Sequence, residues 1–377
     1  MSITSINVMA YLLIILSLLI SIILSALIIP RILVVAFRKK LFDIPDERKV
    51  HSGIIPRLGG ISFVPTILFS LAFTTGLRYL IGYEIPANRL HFIIPEFYFL
   101  ICGLTLLYLS GIKDDLVGLR YRSKFFIQII AASLIPLSGL WINNLYGLFG
   151  IDELTPWLGI PFTILLTVFI VNAINLIDGI DGLASGLSSI SLLTLGSLYI
   201  YYDQWIYAML AFSTLGVLLP FFYYNVFGKV NRCKKIFMGD TGSLTLGYIL
   251  AFLAIAYANN NPERAPYSEG AIVVAFSTLI VPMFDVIRVI LVRARNHKSL
   301  FNADRNHIHH KFLDMGFSSR RAMISILLMA LIFSCLNIVL VSDINNNILF
   351  MADIIVWIGL NVWFDYIRDR KSIQKKL

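Results

Sequence analysis

Charge is scarce in this chain of 377 residues: Asp, Glu, Lys and Arg make up 14% of it, against 58% hydrophobic residues. A water-soluble protein so composed has too little polar surface to cover itself. Alternation of apolar and polar residues over about ten positions, the mark of a lipid-facing barrel strand, is also missing. The apolar runs are continuous, and several reach the roughly 20 residues that cross a bilayer as a helix. Cysteine is rare, and the three present, Cys102, Cys233 and Cys335, have neither disulfide nor zinc-motif spacing. No low-complexity tract or internal repeat is visible, which disfavours a transporter assembled from duplicated halves. The net charge of +9 comes without any nucleic-acid-binding motif.

What is present reads as an all-α, polytopic membrane protein forming a single domain over 1–377. Eleven spans are expected, near 6–30, 58–82, 95–111, 124–142, 157–177, 182–201, 205–224, 242–259, 270–292, 322–341 and 347–365. The first run is too long for a signal peptide, lacks a basic start and ends in a basic cluster, so it reads as a retained helix. The connections fall into two alternating sets. One holds nearly every Lys and Arg; the other holds only Arg78, Arg89 and Arg264. The positive-inside rule makes the basic set and the C-terminus cytoplasmic and the N-terminus periplasmic. Tyr79, Tyr83, Trp141, Trp157, Tyr201, Tyr202 and Trp205 gather at the outer ends, where an aromatic belt belongs. The net charge needs no explanation beyond this asymmetry.

Residues able to do chemistry collect on the basic side in five clusters. Asp114 and Asp115 close the third span beside Lys113, Arg120, Arg122 and Lys124. Adjacent carboxylates repel, so one is pushed up unless a cation compensates; a solvated acidic turn is the plainer alternative. Asn172, Asn175 and Asp178 recur at every third residue, which on a helix makes one stripe, and Asp181 follows. Oxygen-only ligands of this kind suit a hard divalent cation. Asparagines alone could serve as hydrogen-bonding glue between helices, but two carboxylates do not fit that role.

Asp240, Thr241 and Ser243 stand among glycines where the eighth span begins, able to cap the helix or to leave its free N–H groups to a phosphate. His307, His309 and His310 occupy a loop rich in Arg and Lys, including Lys311. Without a partner Cys, Glu or distant His they make a poor zinc site, and a polyanion clamp suits them better. The fifth cluster is the loop with Lys49, His51 and Arg57, punctuated by Pro56, Gly59 and Gly60. Its plain alternative is a connecting loop.

In order along the chain, the blocks RKVHSGIIPRLGG, GIKDDLVGLRYRSKFFIQ, NAINLIDGIDGLASG, FMGDTGSLTLGY and NHIHHK resemble the polyprenyl-phosphate N-acetylaminosugar-1-phosphate transferase family over about 43–311. The Pro56-Arg57-Leu58-Gly59-Gly60 block resembles its WecA-like branch. The peptidoglycan branch, phospho-MurNAc-pentapeptide transferase, typically has Thr and Met at positions 57 and 58, and is the nearest alternative. A membrane transporter with intramembrane carboxylates is the alternative from another class, and it predicts polar groups near mid-span and on both faces.

The resemblance implies transfer of an N-acetylaminosugar-1-phosphate, typically GlcNAc-1-phosphate, from a UDP-sugar to undecaprenyl phosphate at the inner face of a bacterial cytoplasmic membrane. It implies Mg²⁺, or Mn²⁺ in its place, held by Asn175 and Asp240. It makes Asp114 and Asp115 the catalytic pair and puts Asp178 and Asp181 at the nucleotide-sugar. His307, His309 and His310 fall near the diphosphate and sugar, and Lys49, His51 and Arg57 at the closing loop; Lys124, with the inner-loop arginines, is placed to hold the lipid phosphate at the membrane surface. A homodimer is compatible with it, and nucleic acid is not among its partners.

Overall fold

The computed structural model describes residues 3–42, 55–82, 87–263, 268, 270–297 and 306–374. Lys49 and His51 lie outside the described residues. Thirteen α-helices and one small hairpin run in the order α1 (Ile3–Lys39), α2 (Phe63–Leu80), α3 (Ala87–Val117), α4 (Tyr121–Leu137), β1 (Asn144–Leu148), β2 (Ile151–Glu153), α5 (Pro156–Ile177), α6 (Leu183–Tyr201), α7 (Trp205–Phe222), α8 (Gly239–Ala258), α9 (Ala271–Ser277), α10 (Ile280–Arg295), α11 (Ile308–Asp314), α12 (Ser319–Leu340) and α13 (Asn346–Gln374).

Each expected apolar run coincides with one helix, in order, except the ninth. That run is two helices, α9 and α10, bent by 80° at a short break. By length and composition nine helices of the described residues can cross a membrane, and ten if the bent pair counts as one span. At 17 residues α4 falls just short of that length. Bounds moved where a charged residue interrupts or follows an apolar run without ending the helix. The first helix extends to Lys39 rather than 30, and the third reaches Val117 rather than 111. The last continues to Gln374 rather than 365. Asp114 and Asp115 therefore sit on helix, in the last turns of α3, and not on a loop.

Burial explains the layering. Helix α8 is apolar around its whole circumference, which a helix tolerates only when protein covers it on every side. It packs against α3, α5, α6 and α9, and from Thr241 to Ile255 every residue is buried. α1 lies along α7, and α12 and α13 stand at the periphery. Their outward Leu, Ile, Val and Trp residues are exposed, which is the natural state of a face turned to lipid. The break after α9 leaves backbone carbonyls without helical partners. Ser191 Oγ donates to the Thr278 carbonyl at 2.7 Å, so the interruption stays satisfied inside protein. The hairpin pairs Asn144 with Glu153, and the Asn346 and Asn347 side chains at the start of α13 donate to its Tyr146 and Gly147 carbonyls at 2.8 Å.

The start of α8 is also the point where three chain segments touch without side chains between them. A Cβ on Gly60 would lie 2.0 Å from the Gly242 nitrogen, and one on Gly111 would lie 2.4 Å from the Thr241 Cα. These are backbone obstacles that cannot rotate aside. Gly111→Ala should therefore cost about 1–3 kcal/mol and lower the melting temperature of the detergent-solubilised protein. Gly76→Ala and Gly359→Ala, whose added Cβ would meet nothing within 4 Å, should leave it level or raise it.

Candidate active site at one end of the bundle

Gly111 lets α3 come down onto the first turn of α8, and its neighbour Asp115 uses that approach. The Asp115 carboxylate accepts the Asp240 N–H at 2.7 Å, the Thr241 N–H at 2.9 Å and the Thr241 hydroxyl at 2.6 Å. An anion here meets the free N–H groups and the positive dipole end of α8. The helix is thus capped from another helix and not by Asp240, which the sequence suggested and which instead lies inside the first turn. Gly239, with φ +72°, makes the sharp entry: a Cβ there would lie 2.6 Å from Asp115 Oδ2.

Freed from capping, Asp240 points sideways. Its Oδ1 accepts the Asn175 side-chain amide at 2.5 Å, and the same amide donates to Ser243 Oγ at 2.8 Å. Its Oδ2 is 2.9 Å from Lys124 Nζ, and Lys124 is also 2.9 Å from Asp114 Oδ2. The other oxygen of Asp114 accepts the Leu119 N–H and closes the α3–α4 turn. Residues 114, 115, 124, 175 and 240, on four helices, are therefore one contiguous cluster, with a single ammonium between two carboxylates.

Beside it the α5–α6 turn carries the remaining acidic residues. Asp178 ends α5 with its carboxyl open to solvent. The surrounding protein mass pushes it up to about 7, helped by the negative charges of Asp240, Asp181 and Asp115 and opposed by exposed Arg57. Asp181 is paired with Lys235 at 2.5 Å. Gly182, at φ +77°, turns the chain into α6 and donates its N–H to Asn225 Oδ1 at 2.7 Å. Asn225 in turn donates to the Ile236 carbonyl at 2.9 Å, which locks the segment leading to α8. Asn172, expected on the same stripe as Asn175, faces α4 and exchanges hydrogen bonds with buried Gln128. For that residue the helix-glue role is the one the structure shows.

The histidines line a cavity of about 620 Å³. Its polar part includes Lys124, Asn175, Arg293, His307, His309 and His310, with the Asn172–Gln128 pair beside them, and its apolar part includes Phe125, Leu165, Val168 and Ile290. Leu165 stands ten residues before Asn175 on α5, about 15 Å of helix, so the cavity runs from the charged cluster along the spans. The histidines are not equivalent. His309 is buried against Gly179, where a Cβ would lie 2.1 Å from its Nε2. Burial, with His310 beside it, holds His309 neutral down to about 3. His307 is bound to Asp285 on α10. Lys311 was expected to face an anion; it is buried instead against α13, paired with Asp365 at 2.9 Å and Asn361 at 3.1 Å. That burial pulls its ammonium down, Asp365 opposing.

The donor set is one of hard oxygens and one ammonium. Among the described residues no three His, Cys, Asp or Glu side chains stand together as a metal cage. Asn175 and Asp240 do touch, and a half-turn of the amide presents its oxygen beside the Asp240 carboxylate. Two protein oxygens with open positions fit Mg²⁺, which keeps waters and phosphate oxygens in its shell. Sequence reasoning missed Gln128, Asn225, Lys235 and Asp285. Asp285 could have been noticed as a carboxylate within an apolar run; the others carry no local signal.

Comparison with known proteins gives a concordant result. Residues 97–258 match the family described as glycosyl transferase family 4. Undecaprenyl-phosphate alpha-N-acetylglucosaminyl 1-phosphate transferase of Yersinia pestis is 31% identical, the match covering 81% of this chain and 78% of that protein. Its Salmonella typhi counterpart is 34% identical over 80% and 76%. A Bacillus subtilis protein, described as a probable undecaprenyl-phosphate N-acetylglucosaminyl 1-phosphate transferase, is 32% identical over 87% and 85%.

Two outcomes follow from the charges. Asp115→Asn replaces an acceptor of three hydrogen bonds by a group that must turn N–H toward donors, so it should lower stability by about 1–3 kcal/mol, read as a lower melting temperature. Asp178 works in the other direction. Its carboxyl is raised in the folded state, so its contribution to stability falls as pH rises from about 4 to about 7 and stays low above that, whereas below about pH 4 both states hold the proton. Asp178→Asn should melt higher than the parent at pH 8, and the difference should vanish by pH 4.

Proposed function

The chain belongs to glycosyl transferase family 4, and on that footing we propose that it transfers GlcNAc-1-phosphate from UDP-GlcNAc to undecaprenyl phosphate, releasing UMP. The supporting observation is a charged cluster, Asp114–Lys124–Asp240–Asn175, at the head of a cavity whose wall turns apolar along the spans. A soluble nucleotide-sugar and a membrane-bound acceptor need such a place to meet. The basic connections support a cytoplasmic site in a bacterial inner membrane.

Donor diphosphate and acceptor phosphate are both anionic, so their repulsion is the barrier to encounter. Lys124 reaches two carboxylates at 2.9 Å and can turn to a phosphate without leaving the cluster. Arg293 and the histidine segment supply donors from the facing wall. Mg²⁺ held by Asn175 and Asp240 would neutralise the diphosphate and the departing UMP. An oxygen of the acceptor phosphate attacks the phosphorus bearing the sugar, and the bond to the bridging oxygen breaks, leaving that oxygen on UMP.

No strong base is required. The second pKa of a phosphate monoester is about 6, so the acceptor is already dianionic at neutral pH. Asp115 is occupied by the α8 terminus and Asp114 by Lys124. On this reading both are positioning groups: Asp115 sets Asp240, and Asp114 holds Lys124 in reach. A sugar-phosphoryl adduct isolated on either aspartate would overturn it.

The test is UMP release by the purified protein with undecaprenyl phosphate, Mg²⁺ and a choice of donors. UDP-GlcNAc should be consumed and UDP-MurNAc-pentapeptide should not. EDTA should abolish release, and Mg²⁺ or Mn²⁺ should restore it. Asp240→Ala and Asn175→Ala should lower turnover by about 100-fold or more. No UMP from any donor, with lipid and metal present, sinks the proposal.

A further inference from the structure

Asp285 is a carboxylate with no exposed surface, on α10 just past the bend, and the transfer chemistry leaves it unused. Burying an ionised carboxylate is costly unless every lone pair is engaged. Here three donors converge on it. Arg288 Nη2 and the Ile308 N–H both lie 2.9 Å from Oδ1, and His307 Nδ1 lies 2.8 Å from Oδ2. Arg288 also holds the Asn306 carbonyl. One side chain and its cationic neighbour thus pin three consecutive residues, 306–308, where the histidine motif begins.

The chemistry of the contact fixes the ring. A carboxylate already accepting from a guanidinium and an amide can only accept from His307, so Nδ1 carries the hydrogen. Nε2 is then the ring atom free for another partner, and His307 is one of the residues lining the cavity. Other charged or titratable groups near it are Arg288 and Arg293 from α10, His309 and His310 from its own segment, and Lys124 from the α4 side of the cavity. The His309 ring lies parallel at 5.9 Å between centroids. Free rotation of the His307 ring would point Nδ1 and Nε2 at the cavity alternately; the Asp285 contact forbids that.

We propose that Asp285 is a positioning residue that acts through His307, holding its Nδ1–H so that Nε2 faces the cavity, where it donates to the anionic diphosphate once the ring takes up a second proton. This rests on the reading of the cavity as the transfer site. The pairing follows the general pattern in which a buried carboxylate orients a histidine that contacts substrate. It differs from a purely structural clasp in one respect: its contribution to turnover should exist only while the imidazole is there.

Two measurements on the full-length protein test it. In the first, UMP release is compared for wild type, Asp285→Asn, His307→Ala and the double variant, each checked for a monodisperse, cooperatively melting species. Asp285→Asn should lower kcat by about 10–100-fold while KM for the nucleotide-sugar changes far less. Added to His307→Ala, it should lower kcat further by less than about twofold, because the two act as one unit. Full multiplication of the two losses overturns the proposal.

The second needs neither activity nor a folded Asp285 variant. Selective ¹⁵N-histidine labelling of wild type, with His307→Gln to assign the resonance, reports which ring nitrogen carries the hydrogen. A ring that keeps hydrogen on Nδ1, neutral or doubly protonated, is expected; a neutral ring with its hydrogen on Nε2 sinks the idea. If wild type releases no UMP, the functional reading fails while this measurement still decides the pairing.

Discussion

The carboxylate of Asp115 joins two requirements that would otherwise conflict. α8 must be buried on all sides, yet its first turn has free N–H groups that cannot be left dry. Water would satisfy them at the cost of opening the core at that end. Asp115 satisfies them from a neighbouring helix, with three hydrogen bonds from two consecutive residues. Everything that turns toward the cavity depends on that contact. Asp240 is free to reach Asn175 and Lys124 because it is not needed as a cap, and Gly111, Gly60 and Gly239 are glycines because backbone passes where a Cβ would stand.

A cluster of carboxylates at the membrane edge would be self-repelling if it were complete in itself. The structure shows it half-compensated. Lys124 is shared by Asp114 and Asp240, while at Asp178 the charge of Arg57 opposes those of three acidic neighbours. An excess of negative charge beside a wall of Arg and His makes poor sense for an anion-binding site alone, and it makes sense if a divalent cation enters with the substrate. That agrees with the proposed role of Asn175 and Asp240. On the same proposal, Lys124 would exchange its place between two carboxylates for one against a phosphate.

Most of the fold was legible because crossing a membrane forces long apolar runs, and the order of runs became the order of helices. Failures occurred where polar residues continue a helix. α3 runs on through Asp114 and Asp115, since a helix can leave the bilayer without ending. The bend between α9 and α10 was invisible, because its freed carbonyls are satisfied by Ser191 from a distant segment. Among the candidate site residues, spacing and resemblance named Asn175 and Asp240, and the structure brings the two into contact. The division of labour within motifs could not be read. Asn172 and Lys311 look like their functional neighbours in sequence, yet they face Gln128 and Asp365. Side-chain direction depends on which helix lies opposite, and no local pattern carries that.

The two carboxylate contacts of the histidine segment explain why so short a helix is a dependable part of the wall. α11 has seven residues, too few to hold its shape by its own hydrogen bonds. It is fastened at its start by Asp285 of α10 and along its length by Lys311 to α13. Gly179 then sets how closely His309 can approach α5, and burial keeps that imidazole neutral. A neutral His309 adds no positive charge to the site, so attraction for an anion falls first to Lys124 and Arg293, which line the same cavity. The segment therefore works as a rigid frame from both sides, with one histidine serving as packing and another oriented for contact. A motif of three similar residues has become three different chemical groups through what each is packed against.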